Sequence, residues 1–228
     1  MQLLTLPGSE LVPVVLEARA ELHGRLDKAE LQTRRVSVGE PQAMPLRPED
    51  LADGPAGEFL RQQAAAFWLL NLTISFYPEP KEPVDSAAIG LLLSHDGPAG
   101  SATPIAWSIW PTKLGAPASQ CSTIAVTAKL GLVEPQLSRS TTRESENPFL
   151  LGLGERQCDP EWRFRRISGH DIEGIHRLAA IIRAPREVRV TAGVTVAASI
   201  CRRVAGLVRY RAAIPTGLAS VTLPPHRK

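Results

Sequence analysis

The chain is poor in cysteine, and this shortage excludes two classes of small stabilised domain. Its three cysteines, Cys121, Cys158 and Cys201, are widely separated and form no CxxC pair. An odd number at such spacing argues against both a disulfide framework and a tetrahedral zinc site. We therefore predict free thiols in a reducing compartment, and hence a cytoplasmic protein without a metal or other cofactor.

Long apolar runs are also missing. No stretch of the sequence approaches the ~18 apolar residues that a membrane-spanning helix needs. Residues 1–7 read MQLLTLP and lack the basic start and the long apolar stretch of a secretory signal. We therefore expect no export by a standard signal peptide.

Motifs for phosphate binding and nucleophilic catalysis are absent as well. Residues 152–154 (GLG) begin like a dinucleotide fingerprint, but Gln157 stands where the third glycine belongs and no βαβ unit follows. These glycines predict a strand bend or bulge. The consecutive residues 94–96 (SHD) cannot converge as a triad because neighbouring side chains diverge, so they predict a turn. The sequence thus predicts no catalytic residue.

Charge is plentiful and unevenly distributed. Residues 1–150 hold 12 basic and 17 acidic side chains, whereas residues 151–228 hold 14 basic and 6 acidic ones. Such asymmetry indicates either an anionic partner or attraction between two halves of a fold or two copies of a subunit. Because the basic residues are interleaved with strand positions, we favour the second interpretation. It predicts a protein partner or self-association through complementary charges.

Alternation of apolar and polar residues dominates the sequence. Residues 67–77, 87–94, 123–133, 162–165, 175–183, 188–200 and 207–213 are predicted strands. Seven apolar positions alternate strictly from Val188 to Ile200, which excludes a helix there. Strands at short spacing without amphipathic helices between them predict a mainly β fold, namely an antiparallel two-sheet sandwich or a barrel-like form.

The N-terminal quarter gives a mixed signal. Residues 14–31 fit a helix by composition and a strand by alternation, and we lean narrowly towards the helix. Residues 39–57 and 134–148 are predicted loops. We expect residues 1–57 to form a small helical or mixed elaboration and residues 58–228 the antiparallel β domain, with both parts in one compact unit.

The densest cluster of possible ligands lies at His170, Asp171, Glu173 and His176. In an extended strand, Asp171 and Glu173 would share one face while His170 and His176 share the other. A metal site would therefore need ligands from a third element. The alternative is a hairpin turn with solvated polar side chains, so these four residues are only weak candidates for binding or catalysis.

Arginines at alternate positions form a second candidate surface. Arg163, Arg165 and Arg189 are the binding candidates, and a positive sheet face could also include Arg177, Arg183, Arg209 and Arg211. Phosphate binding by such a face would be salt-sensitive. Aromatic residues for base stacking make up only 5% of the chain, which disfavours nucleic acid as the partner.

Three of the predicted strands, at residues 67–77, 123–133 and 188–200, have the length of a transmembrane β-strand. They keep open the alternative of a membrane-active, pore-forming-like β protein. No aromatic girdle brackets these strands. We therefore favour a soluble protein over this alternative.

One pattern gives a family resemblance. Trp162 and Phe164, followed by Gly169, Ile172 and Gly174, read WxFxxxxGxxIxG. This pattern resembles poorly characterised β-rich domains encoded near bacterial signalling or conflict-system genes. The resemblance implies an accessory or interaction role and transfers no catalytic residue. The leading hypothesis is accordingly a non-enzymatic interaction or assembly domain.

Overall fold

The computed structural model describes residues 3–5, 10–18, 31–51, 55–115, 123–125, 148–202 and 206–225. Fifteen strands, one α-helix and a 3-10 turn at Pro48–Asp50 lie within these ranges. The helix, α1, is Pro55–Gln62. The strands are β1 Leu3–Thr5, β2 Leu11–Ala18, β3 Leu31–Gly39, β4 Gln42–Pro45, β5 Ala65–Phe76, β6 Val84–His95, β7 Ile105–Trp110, β8 Lys113–Leu114, β9 Thr123–Ala125, β10 Leu150–Leu153, β11 Glu161–Arg165, β12 Gly174–Pro185, β13 Val190–Arg202, β14 Gly206–Ala213 and β15 Ser220–Leu223.

Thirteen of these strands form one sheet. Eleven follow the order β7-β12-β5-β3-β2-β14-β13-β6-β11-β10-β8, with β15 added beside β13 and β4 beside β5. The strand pairs are antiparallel, and the sheet is curled into a half-barrel. The prediction of a mainly β, antiparallel fold is therefore confirmed, and the single curled sheet corresponds to its barrel-like form. The remaining pair, β1 and β9, is a separate two-stranded ribbon.

The two ends of the curled sheet come together where β7 passes into β8. Only residues 111 and 112 separate these two strands, although they lie at opposite ends of the strand order. The amide of Gly152 donates to the carbonyl of Thr112 (2.8 Å), and the amide of Arg156 donates to that of Ala106 (2.7 Å). A Cβ atom on Gly152 would lie 2.7 Å from the Pro111 carbonyl oxygen, so a glycine is required at this seam.

The main core fills the inside of the half-barrel. The alternate apolar residues of β5, β6, β11, β12 and β13 point there, as their sequence pattern predicts. The largest fully buried side chains in this core include Trp68, Phe76, Phe149, Trp162, Phe164 and Tyr210. Residues of strands that are distant in the order thus meet across the interior, which is how one sheet buries its own inner face.

The narrow preference for a helix at residues 14–31 is wrong where the structure describes this segment. Residues 14–18 belong to β2, which pairs with β14 on one side and β3 on the other. Val14 and Leu16 are buried in the main core. Alternate burial and two hydrogen-bonded neighbours outweigh the helical composition. Residues 19–30 lie outside the described ranges.

The prediction of a loop at residues 39–57 is also wrong in part. This segment contains β4, the 3-10 turn and the start of α1, whose first residue is Pro55, a position that tolerates proline. Leu60 of α1 is buried against the outer face of β5 and β12, with Phe67 and Ile181 in the same cluster. Residues 134–147, and 126–133 of another predicted strand, lie outside the described ranges.

Candidate functional site

Four adjacent strands, β11, β6, β13 and β14, carry an arginine-bordered depression on the face that points away from the core. The direct register of these strands sets two rows of side chains across them. One row reads Arg163, Ala88, Ala197 and Arg211 from β11 to β14, and the next reads Arg165, Ser86, Ser199 and Arg209. We call this depression the arginine trough.

The floor of the trough is made of small side chains. Ser86, Ala88 and Gly90 come from β6, and Thr195 and Ala197 come from β13. The bulky neighbours in the same strands point to the other side of the sheet, because strand residues alternate between faces. The resulting open depression has a volume of about 930 Å³. Small central residues between long bordering residues produce this depression in the surface.

The strand geometry sets the dimensions of the trough. Three inter-strand spacings separate β11 from β14, which places the two borders roughly 14 Å apart. Along each border, the two arginines are two residues apart, or roughly 7 Å. The four guanidinium groups therefore surround an elongated area. They do not converge on a single small anion.

The charge of the trough is predominantly positive. Two acidic residues, Asp85 and Glu161, lie among its lining residues, against four arginines. Arg163 Nε donates to Glu161 Oε1 at 2.7 Å, and this carboxylate raises the pKa of Arg163. Arg209 and Arg211 are exposed on the opposite border. Guanidinium groups bind carboxylates in a planar, two-bond geometry, so this surface can hold an elongated acidic ligand.

The structure separates the four residues of the predicted histidine and acid cluster. Residues 168–169 form a turn, and Ile167 and His170 close it with two backbone hydrogen bonds of 3.3 and 3.0 Å. His170, Asp171 and Glu173 are exposed, and Asp171 forms an ion pair with Arg166. Within the described ranges, no group of three His, Cys, Asp or Glu side chains could hold a metal ion.

His176, by contrast, is buried, and its ring packs among aromatic residues of the main core. Its ring centroid lies 4.8 Å from that of Phe164 and 5.8 Å from that of Phe76. Its Nε2 lies 3.0 Å from the carbonyl oxygen of Glu173, and the tautomer with a proton on Nε2 donates a hydrogen bond to this oxygen. Burial lowers the pKa of His176, against a smaller raising effect of this hydrogen bond. The predicted face shared by His170 and His176 does not form, because residues 171–173 are not part of a strand and β12 begins only at Gly174, whose φ is 79°.

The remaining arginines of the predicted positive face lie elsewhere. The backbone of Arg189 closes a turn with Asp96, whose Oδ1 accepts its amide at 3.0 Å. The guanidinium of Arg183 lies 5.5 Å from the ring centroid of Trp107, with Arg156 on the same ring at 3.4 Å. The sequence predicts Arg209 and Arg211 only as members of the wider positive face, from their i, i+2 spacing. Their position opposite Arg163 and Arg165 depends on strand order, which this spacing does not indicate.

The WxFxxxxGxxIxG pattern has a folding role in this structure. Trp162, Phe164 and Ile172 are buried in the main core. Gly169 and Gly174 both have a φ of 79°, a conformation that favours glycine. The pattern therefore describes the β11 strand and the turn that leads from it into β12.

Comparisons with known proteins give no assignment. No protein-family model matches the chain, and no curated protein matches it. Among solved structures, a match is the NetB toxin of Clostridium perfringens in its membrane-inserted form. The match has 10% sequence identity, covers 94% of each of the two chains and has a TM-score of 0.27. This TM-score is too low to indicate a shared fold. Within the described ranges, no helix has the length and apolarity needed to cross a bilayer.

Proposed function

We propose that this chain is a non-enzymatic protein-interaction domain and that its arginine trough binds an acidic segment of a protein partner. The observation that carries the proposal is the pairing of two arginines on each border across a floor of small residues. Carboxylates spaced along a protein segment complement such a surface in charge and in hydrogen-bond geometry.

The composition of the trough favours an acidic protein over a nucleic acid. Single-stranded nucleic acids bind to basic grooves that also offer exposed aromatic rings for base stacking. The two aromatic residues beside this trough, Phe164 and Tyr210, are each 1% exposed and belong to the main core. The arginines of the trough therefore provide positive charge, but its described lining residues provide no exposed aromatic ring for base stacking.

The direction of the apolar faces favours a binding domain over a membrane-active protein. The apolar residues of β13, such as Val194 and Val196, are buried inside the half-barrel. Its outward residues in the trough include Thr195 and Ser199, with arginines on the neighbouring strand. A wall facing lipid would need the opposite arrangement.

Cys158 and Cys201 are free thiols, which supports the proposal of a reducing, cytoplasmic compartment.

Fluorescence anisotropy with a labelled short peptide of alternating Glu and Ala blocks tests the proposal. We expect binding that weakens as salt rises from about 0.05 to about 0.5 M, because salt screens exposed charges. A Lys-containing peptide of the same length should not bind. A single-stranded oligonucleotide of equal charge should bind more weakly than the acidic peptide. Tighter binding of the oligonucleotide would replace the proposed partner with a nucleic acid.

Variants of the trough locate the binding. Arg209→Ser combined with Arg211→Ser should weaken peptide binding at least tenfold, which corresponds to about 1.4 kcal/mol. Arg189→Ser is the matched control, because Arg189 is an exposed arginine outside the trough. The double variant should keep the far-UV circular dichroism of the parent. An unchanged Kd for a folded double variant would refute the proposal.

A further inference from the structure

The width of the arginine trough matches the diameter of an α-helix. The two borders are roughly 14 Å apart across three strand spacings. An α-helix with its side chains is roughly 10–12 Å wide. A helix lying along the trough would therefore fill it and bring its two flanks to the two arginine borders. We infer that the acidic segment is helical and lies parallel to β6 and β13, an inference that rests on the proposed function.

The spacing of the arginines along each border fits the same ligand. Arg163 and Arg165 are roughly 7 Å apart along β11, as are Arg209 and Arg211 along β14. Two residues at i and i+4 on a helix are roughly 6 Å apart along its axis. A carboxylate pair at i and i+4 on each flank would thus face an arginine pair on each border.

The small floor allows the close approach that a helix needs. Ala88 and Ala197 are directly paired at the centre of the trough, with Ser86 and Ser199 paired beside them. These side chains extend little above the sheet. The seam of the helix that faces them would therefore carry small residues, such as alanine or serine, between its acidic flanks.

The pairing of the floor strands disfavours an extended ligand. β6 is already hydrogen-bonded to β13 and β11, and β13 is already bonded to β6 and β14. The trough therefore offers no open strand edge to which a peptide strand could add. An extended peptide lying on this floor would leave its backbone polar groups without partners. A helix satisfies its own backbone hydrogen bonds.

Two peptides of equal charge test this inference. The first carries Glu pairs at i and i+4 on both flanks and an alanine seam, with a hydrocarbon staple on the outward side. The second replaces one central seam alanine with proline, which costs ~3 kcal/mol in a helix interior. We expect the stapled peptide to bind at least tenfold more tightly to the full chain. Equal affinities would overturn the helical ligand and leave the proposed function intact, whereas binding by neither peptide would overturn both.

A variant of the floor provides the second readout. Ala197→Leu keeps all four arginines and fills the seam, and Ala197 is exposed, so the chain should still fold. We expect at least a fivefold loss of affinity for the stapled peptide. Leu92→Ala is the control, because Leu92 is an exposed residue of β6 that does not line the trough. Unchanged affinity of Ala197→Leu would show that the ligand does not approach the floor, and would overturn the inference.

Discussion

The outer face of the sheet is covered at one end and open at the other. On β5 and β12, outward residues such as Phe67, Leu69 and Ile181 are buried beneath α1. On β6 and β13, the outward residues are small or polar and line the arginine trough. Both regions belong to the same sheet and use the same inner core. They differ in the residues on the outer face, which are large and apolar in the covered region and small or polar in the open region.

This difference shows that strands of one sheet can have different roles, according to the residues on their outer face. Every residue of β5 after Ala65 is buried, and its outward residues Phe67 and Leu69 lie in the same cluster as Leu60 of α1. The outward residues of β13 that line the trough, by contrast, include the exposed Thr195 and Ala197. Apolar residues on the second face require a cover, whereas small residues beside arginines leave room for a ligand.

The largest expected effect lies in the covered region. Phe67→Ala removes a buried ring that contacts Phe59 and Trp107 with centroid distances of 5.9 Å each. The cavity should lower the free energy of unfolding by about 3–5 kcal/mol. Urea denaturation followed by tryptophan fluorescence measures it. A loss below about 1 kcal/mol would mean that α1 does not cover this face.

The next effect concerns the seam at which the ends of the sheet meet. Gly152→Ala places a Cβ atom 2.7 Å from the carbonyl oxygen of Pro111, a backbone atom that cannot move aside as the end of a side chain can. We expect a loss of about 1–3 kcal/mol in unfolding free energy. Gly217→Ala is the control, because a Cβ atom there meets nothing within 4 Å. Equal stabilities of the two variants would contradict the close approach at the seam.

A third, pH-dependent effect tests the contact between the two regions through the core. His176 of β12 packs on Phe164 of β11. Because burial lowers its pKa in the fold, the unfolded chain binds the proton more readily as pH falls below about 6.5. Stability should therefore decrease on acidification by up to about 1.4 kcal/mol per pH unit relative to His176→Phe.

Parallel urea titrations between about pH 5 and 8 measure this effect. Above about pH 7 the difference between parent and His176→Phe should be constant, since the ring is neutral in both states. A constant difference over the whole range would contradict the burial of His176.

The smallest effect belongs to the open region. Ala197→Ser changes an exposed floor residue that touches no packed layer. The free energy of unfolding should change by less than about 0.5 kcal/mol. Urea denaturation of Ala197→Ser, in parallel with Phe67→Ala, compares the two changes in unfolding free energy directly. A loss comparable to that of Phe67→Ala would mean that the trough floor is covered.

Much of the fold was predictable because alternation is a local property. From 188 to 200, the residues at every second position fixed the strand and its buried face before any strand order was known. α1 was not predictable in this way. Its eight residues follow a segment rich in proline and glycine, which predicts a loop. The helix covers Phe67 and Leu69 on the outer face of β5. Alternation along β5 does not indicate that residues on both of its faces are buried.

The candidate site was predictable only in its components. The alternation of Arg163 and Arg165 predicts that both lie on one positive sheet face. Their position across the floor from Arg209 and Arg211 depends on β6 and β13 lying between β11 and β14, and strand order is not encoded in local pattern. The predicted cluster around His170 does not form because Ile172 is buried in a bend between His170 and β12, and β12 begins at Gly174 with a positive φ.

The most direct test of the account is to map where an acidic peptide binds. In a titration of isotope-labelled protein followed by NMR, the amide signals of residues 86–90 and 195–199 should shift. The signals of residues 67–71 and 179–183, on the covered region of the same sheet, should stay in place. Shifts that concentrate on the covered region, or that spread evenly over the sheet, would contradict binding in the arginine trough.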